Sequence, residues 1–93
     1  MVIGALTAEL AIAGANSLKD KRQALKSLLA HLRNEFNVSA AEVGEHDVWR
    51  RATVGVAVVA ADGAFVNAVL DKVIDHIEGD PRVALGHYEI ELL

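Results

Sequence analysis

VSAAEVGEHDVWRRATVGVAVVAA, residues Val38 to Ala61, decides how this chain folds. Val38 to Glu45 and Ala52 to Ala61 are rich in β-branched and small residues, and the six-residue polar segment His46 to Arg51 separates them. Two extended runs joined by a short polar connection suit an antiparallel hairpin. On the N-terminal side, Leu18, Leu25, Leu28, Leu29 and Leu32 fall within an arc of about 100° on a helical wheel, so Leu18 to Phe36 is predicted to be an amphipathic helix. Ser17 precedes it as a natural N-cap, after the short connection Gly14-Ala15-Asn16. On the C-terminal side, Asp62 can cap a second helix with the apolar stripe Val66, Val69, Leu70, Val73 and Ile77. Asp71, Asp75 and Glu78 take its opposite side, and Gly79 and Pro81 end it.

Further out, Val2 to Ile12 places Val2, Leu6, Leu10 and Ile12 on one parity and Thr7 and Glu9 on the other. Val83 to Leu92 alternates as well, with Ala84, Gly86, Tyr88, Ile90 and Leu92 opposed to Leu85, His87, Glu89 and Glu91. Period 2 is the mark of strands with one buried face. The order βαββαβ predicts a ferredoxin-like α+β sandwich over residues 1–93 as a single domain. Its four-stranded antiparallel sheet should have the order 4-1-3-2, with two helices on one face. The other face is then left without cover. Ile3, Ala5, Ala11 and Leu85 are expected on it, with free edges at strands two and four, which makes self-association an expectation.

Composition narrows the function classes. With 53% hydrophobic and 24% charged residues, 93 residues in all, the chain is expected to form one compact core. The absence of cysteine removes disulfides, thiolate metal sites and thiol nucleophiles. The longest uncharged stretches, Met1 to Ala8 and Ala52 to Ala61, fall short of the roughly 20 apolar residues that span a bilayer. The apolar start directly after Met1 is expected to be a strand and not a secretory signal. A cytoplasmic protein without a membrane partner is therefore anticipated.

Charge is unevenly placed although the net value is −4. Residues 17–34 carry Lys19, Lys21, Arg22, Lys26 and Arg33 against the single acid Asp20, whereas residues 62–80 carry Lys72 against Asp62, Asp71, Asp75, Glu78 and Asp80. On the wheel Lys19, Arg22, Lys26 and Arg33 lie within about 60°, along one flank of the leucine face. Such a stripe can track phosphates, helped by the positive end of the helix dipole. The alternative is a solvated flank paired with the acidic second helix. Lys21 falls inside the leucine arc, where its stem can pack.

In the hairpin loop Trp49, the only tryptophan, is followed by Arg50 and Arg51. An aromatic beside two guanidiniums can stack a base or anchor a partner, or it can fold back over the sheet end. Strand three carries no aromatic residue, which argues against base stacking on the sheet of the RNA-recognition-motif kind. His87, Glu89 and Glu91 share a face with Glu9 of the neighbouring strand, a grouping that could hold a divalent cation but more often is solvated. No nucleophile elbow or phosphate-cradling glycine loop occurs, and Gly14-Ala15-Asn16 lacks the arginine that an acylphosphatase needs there. No enzyme and no cofactor are expected.

The run from Ser17 to Ala60 resembles the bacterial YlxP-like family of uncharacterised small proteins. Three segments carry the likeness: Ser17-Leu18-Lys19 with Lys21-Arg22; Arg33-Asn34 with Phe36-Asn37-Val38-Ser39; and the loop Asp47 to Trp49 with Gly55-Val56-Ala57. It extends more weakly to Tyr88-Glu89-Ile90-Glu91. Asp20 stands where Glu is expected and Ala60 where Ser is usual. The resemblance implies the same ferredoxin-like fold and, through genes that neighbour those of translation initiation and ribosome maturation, a link to RNA. The expected function is thus a binding protein docking on RNA or a ribosomal subunit through Lys19, Lys21, Arg22, Lys26 and Arg33, helped by Trp49, Arg50 and Arg51. A homodimeric protein-interaction module without nucleic acid is the alternative.

Overall fold

A computed structural model describes residues 1–93. Strand β1 (Val2–Ala11) leads into helix α1 (Leu18–Glu35), then β2 (Ser39–Gly44), β3 (Arg51–Ala60), α2 (Gly63–Glu78) and β4 (Ala84–Leu92). All strand pairs are antiparallel and the sheet order is β2-β3-β1-β4, the ferredoxin-like arrangement that the patterns predict.

Local chemistry sets the helix ends. Ser17 Oγ accepts from the Asp20 amide at 3.1 Å, and Asp20 Oδ2 accepts in return from the Asn16 amide at 3.1 Å. The first bond satisfies an amide of the first turn that has no intrahelical partner, and the second anchors the residue just ahead of the cap. Phe36 turns extended at the other end of α1. In α2 the Asp62 carboxylate accepts from the Phe65 amide at 2.8 Å, and Gly79 closes the helix.

Both helices cover one face. In β1 and β3 the buried side chains Leu6, Ala8, Leu10, Ala52, Val54, Val56 and Val58 share a parity, and they meet Leu25, Leu28 and Leu32 of α1 and Val66, Leu70, Val73 and Ile77 of α2 in a single cluster. Helix α2 lies over β1, β3 and β4, while α1 lies over β2 at the other edge. Gly4 marks where α2 comes closest. A Cβ built there would overlap Val66 Cγ1 and stand 3.0 Å from Leu70 Cδ1.

The alternation expected of the last strand does not persist along β4. Ile90 pairs with Leu6 and Tyr88 with Ala8, but a register shift follows, and Leu10 pairs with Leu85. An extra residue in one strand of a ladder exchanges the two faces beyond it. Leu85, expected on the uncovered side, instead packs against the core. A second shift between Glu42 and Gly44 bends β2 near its end.

Candidate nucleic-acid interface

Each candidate residue has a definite place, and not all are available to a partner. Lys21 sits at the centre of the buried face of α1 with no exposed surface. Its Nζ lies 2.9 Å from Glu42 Oε2 and donates to the carbonyl of Glu45. Lys21 is therefore withdrawn from the surface set. Its role is internal: the ammonium holds the end of β2, where Glu45 adopts a positive φ of 58° that disfavours a non-glycine residue. The contact with Glu42 is Coulombic rather than an aligned hydrogen bond, since Oε2 is buried without a hydrogen-bond partner.

Arg33 and Arg50 are also engaged in the fold. Arg33 Nη1 donates to the Ala40 carbonyl at 2.7 Å, tying α1 to the edge strand. Arg50 Nε donates to the Ala15 carbonyl at 3.0 Å, and its Nη2 reaches Asn16 Oδ1 at 3.4 Å. Arg51 pairs with Ala11, which puts it on the uncovered side of the sheet, 3.6 Å from Glu45 Oε1.

Lys19, Arg22 and Lys26 remain. All three are exposed, and none has a carboxylate within 4.0 Å. Helix α2 does not neutralise them. His31 and His76 meet edge to face, ring centroids 6.1 Å apart, and mark the flanks that the two helices turn toward each other. On each wheel the charged stripe lies across the buried face from that contact. Lys19, Arg22 and Lys26 thus look outward past the β2 edge, and Asp71, Asp75 and Glu78 look outward past the β4 edge. The pairing of basic and acidic helices considered from sequence is absent.

The hairpin loop joins the basic flank. Two ties draw it to the start of α1: Arg50 bonds the residues just ahead of the helix, and Lys21 bonds the Glu45 carbonyl. Trp49, next to Arg50, is 51% exposed, so about half of its surface is open to a partner. The result is one end of the molecule that displays Lys19, Arg22 and a half-exposed indole, with Lys26 continuing the stripe down the helix. Nothing in the spacing of Arg50 and Ala15, 35 residues apart, announced that tie.

Other groupings contribute less. His87 Nε2 lies 3.2 Å from Glu89 Oε1, yet no set of three or more histidines and carboxylates is gathered so as to hold a metal ion. Beside the β1–α1 connection, Arg82 is held by Asp80 at 2.9 Å and by Ser27 Oγ at 3.0 Å. The hydrogen bonds that the Arg82 guanidinium and amide donate to Asp80 hold its carboxyl below its ordinary range. No helix is long and apolar enough to cross a membrane.

The model of a family described as "Protein of unknown function (DUF503)" matches residues 3–90. The chain belongs to the DUF503 family. The match runs from β1 to β4 and includes the basic flank of α1 and the Trp49 loop. Among curated relatives, the "Uncharacterized protein YlxP" of Bacillus subtilis (strain 168) is 37% identical over 82 residues, covering 88% of this chain and 89% of that protein. The DUF503 description assigns no activity.

Proposed function

We propose that this DUF503 protein is a non-enzymatic, cytoplasmic binding domain that docks on RNA, alone or in a ribosomal subunit. The docking surface is the outer flank of α1 with the neighbouring hairpin loop. One observation carries the reading: Lys19, Arg22 and Lys26 form an exposed row with no acidic partner, on the side of the fold away from the acids of α2. Phosphates spaced along a strand are natural counter-charges for such a row, and Trp49 offers a ring on which a base can stack. Three phosphate contacts on single-stranded RNA predict a slope of log affinity against log salt near −2.

The test is co-sedimentation with ribosomal subunits from a lysate at low salt and release at high salt, followed by titration of purified single-stranded RNA. Arg22→Glu with Lys26→Glu should abolish both while the protein still melts cooperatively. Unchanged association in that variant would refute the reading. A homodimeric interaction module is the second reading, and it has separate support in Val43 and Val59, which are exposed on the uncovered sheet face.

A further inference from the structure

We propose that two copies of this chain pack through their uncovered sheet faces, about a two-fold axis parallel to the strands and midway between β1 and β3. The proposal rests on the homodimer reading and specifies its surface.

The ladder registers lay the face out in rows. Ser39, Ala57, Ala5 and Glu91 lie across the sheet in one row, and Ala41, Gly55, Thr7 and Glu89 in the next. On β2, β3 and β1 both rows therefore carry only small side chains. Ile3 and Val59 close one end of the patch, and Val59 is 58% exposed. Val43, 55% exposed, leans over Gly55, where an added Cβ would meet its Cγ1 at 3.1 Å. It walls a shallow trough of about 510 Å³ that runs over Ala5, Thr7, Ala41 and Ala57.

Relief this low suits another sheet, since sheets stack face to face at about 10 Å. Four strands about 4.8 Å apart and seven residues of length, Ile3 to Glu9 on β1, at about 3.3 Å each, give roughly 440 Å² of plane per copy. Two copies bury about 900 Å² before side-chain relief is counted, close to the roughly 1,000 Å² that a specific interface should clear.

Charge selects the orientation. The acids in the two rows, Glu89 and Glu91, both stand on β4; the row beyond adds Glu9 on β1, and the parallel axis sets Arg51 of the second copy over Ala11, one row from that carboxylate. An axis perpendicular to the strands would bring β4 over β4 and crowd four carboxylates together. The parallel axis keeps each row over itself and sets β4 of one copy over β2 of the other. Glu89 and Glu91 of the second copy then lie above Ala41 and Ser39, at a rim open to water. Charge also disfavours pairing through the free edges. A β2–β2 contact would juxtapose two basic α1 flanks, and a β4–β4 contact two acidic α2 flanks.

The experiment is analytical ultracentrifugation of the full chain and two variants. The natural chain should be dimeric at roughly 100 µM. Ala57→Glu, at an exposed position near the axis, should weaken the dimer at least about 100-fold by burying an unpaired charge, while circular dichroism shows native secondary structure and a cooperative melt that no longer depends on concentration. Ala41→Lys should tighten the dimer about twofold to fivefold, because its ammonium meets Glu89 and Glu91 of the second copy at the rim. A natural chain that stays monomeric overturns the homodimer reading and this surface together. A dimer that survives Ala57→Glu overturns the surface alone, and a dimer weakened by Ala41→Lys overturns the axis.

Discussion

Replacing Lys21 by methionine separates the fold from the docking surface. Methionine keeps an unbranched apolar stem in the space the lysine fills, so packing changes little. What is lost is the ammonium, fully enclosed between the Glu42 carboxylate at 2.9 Å and the Glu45 carbonyl. Removing one member of a buried ion pair costs about 3–5 kcal/mol, because the other charge stays behind unpaired. The Glu42 side chain retains 17% of its exposure and can draw in water, which places the loss near the lower limit. A cost of about 3 kcal/mol lowers the melting temperature of a domain of this size by roughly 12–24 °C. The protein should remain folded, since small domains have about 5–15 kcal/mol in hand.

The second half of that experiment is a double-mutant cycle. With Glu42→Leu added, no charge is stranded, and stability should return to within about 1 kcal/mol of the natural chain. The unaligned Glu42 Oε2 makes this recovery easier, because the natural pair leaves that atom without a hydrogen bond. Urea denaturation at pH 7 measures all four corners. A Lys21→Met cost under about 1 kcal/mol, or two changes that simply add, would refute the buried-pair account. Should RNA bind, Lys21→Met must leave the salt slope unchanged, since the residue touches no solvent.

Gly4→Ala should destabilise by about 1–2 kcal/mol in urea denaturation: overlap with Val66 forces α2 outward, and the gain from a stiffer unfolded chain offsets only part of it. The Asp80–Arg82 pair predicts an acid-side loss of stability. Because the folded carboxyl is held below its ordinary value of 3.8, its contribution is present above that pH and disappears as the pH falls through the lowered value. Arg82 is 45% exposed, so the loss should stay below about 1 kcal/mol, read as the difference in acid denaturation between the natural chain and Asp80→Asn. Trp49→Ala should change stability by less than about 0.5 kcal/mol, the indole being half open to water, but should cost roughly 1–3 kcal/mol of RNA affinity with little change in salt slope.

How much of the candidate site could be read from sequence differs residue by residue. Arg22 and Lys26 were legible as exposed cations because helical spacing alone sets them beside the leucine face and not within it. Lys21 carried a signal too: it falls inside the apolar arc, and a cation at such a position is either snorkelling or paired. Which of the two holds depended on Glu42, 21 positions away, and on a bulge at the end of β2. Arg50 and Arg33 gave no warning. Their partners are backbone carbonyls of Ala15 and Ala40, and every residue has one.

Sequence by itself determined the elements, their order and, except at the start of β4, the face each turns inward, because periods of 3.6 and 2 are properties of a single segment and its own side chains. It also determined that positive charge collects in α1 and negative charge in α2. Tertiary structure alone decided where those charges point. The two helices meet along the flanks carrying His31 and His76, so the basic and acidic stripes lie at opposite edges of the molecule instead of cancelling. It alone decided the face taken by Leu85, since a bulge arises from how two strands align and has no residue pattern within either one. Contacts between segments depend on the distance and angle at which elements pack, and a one-dimensional pattern carries neither.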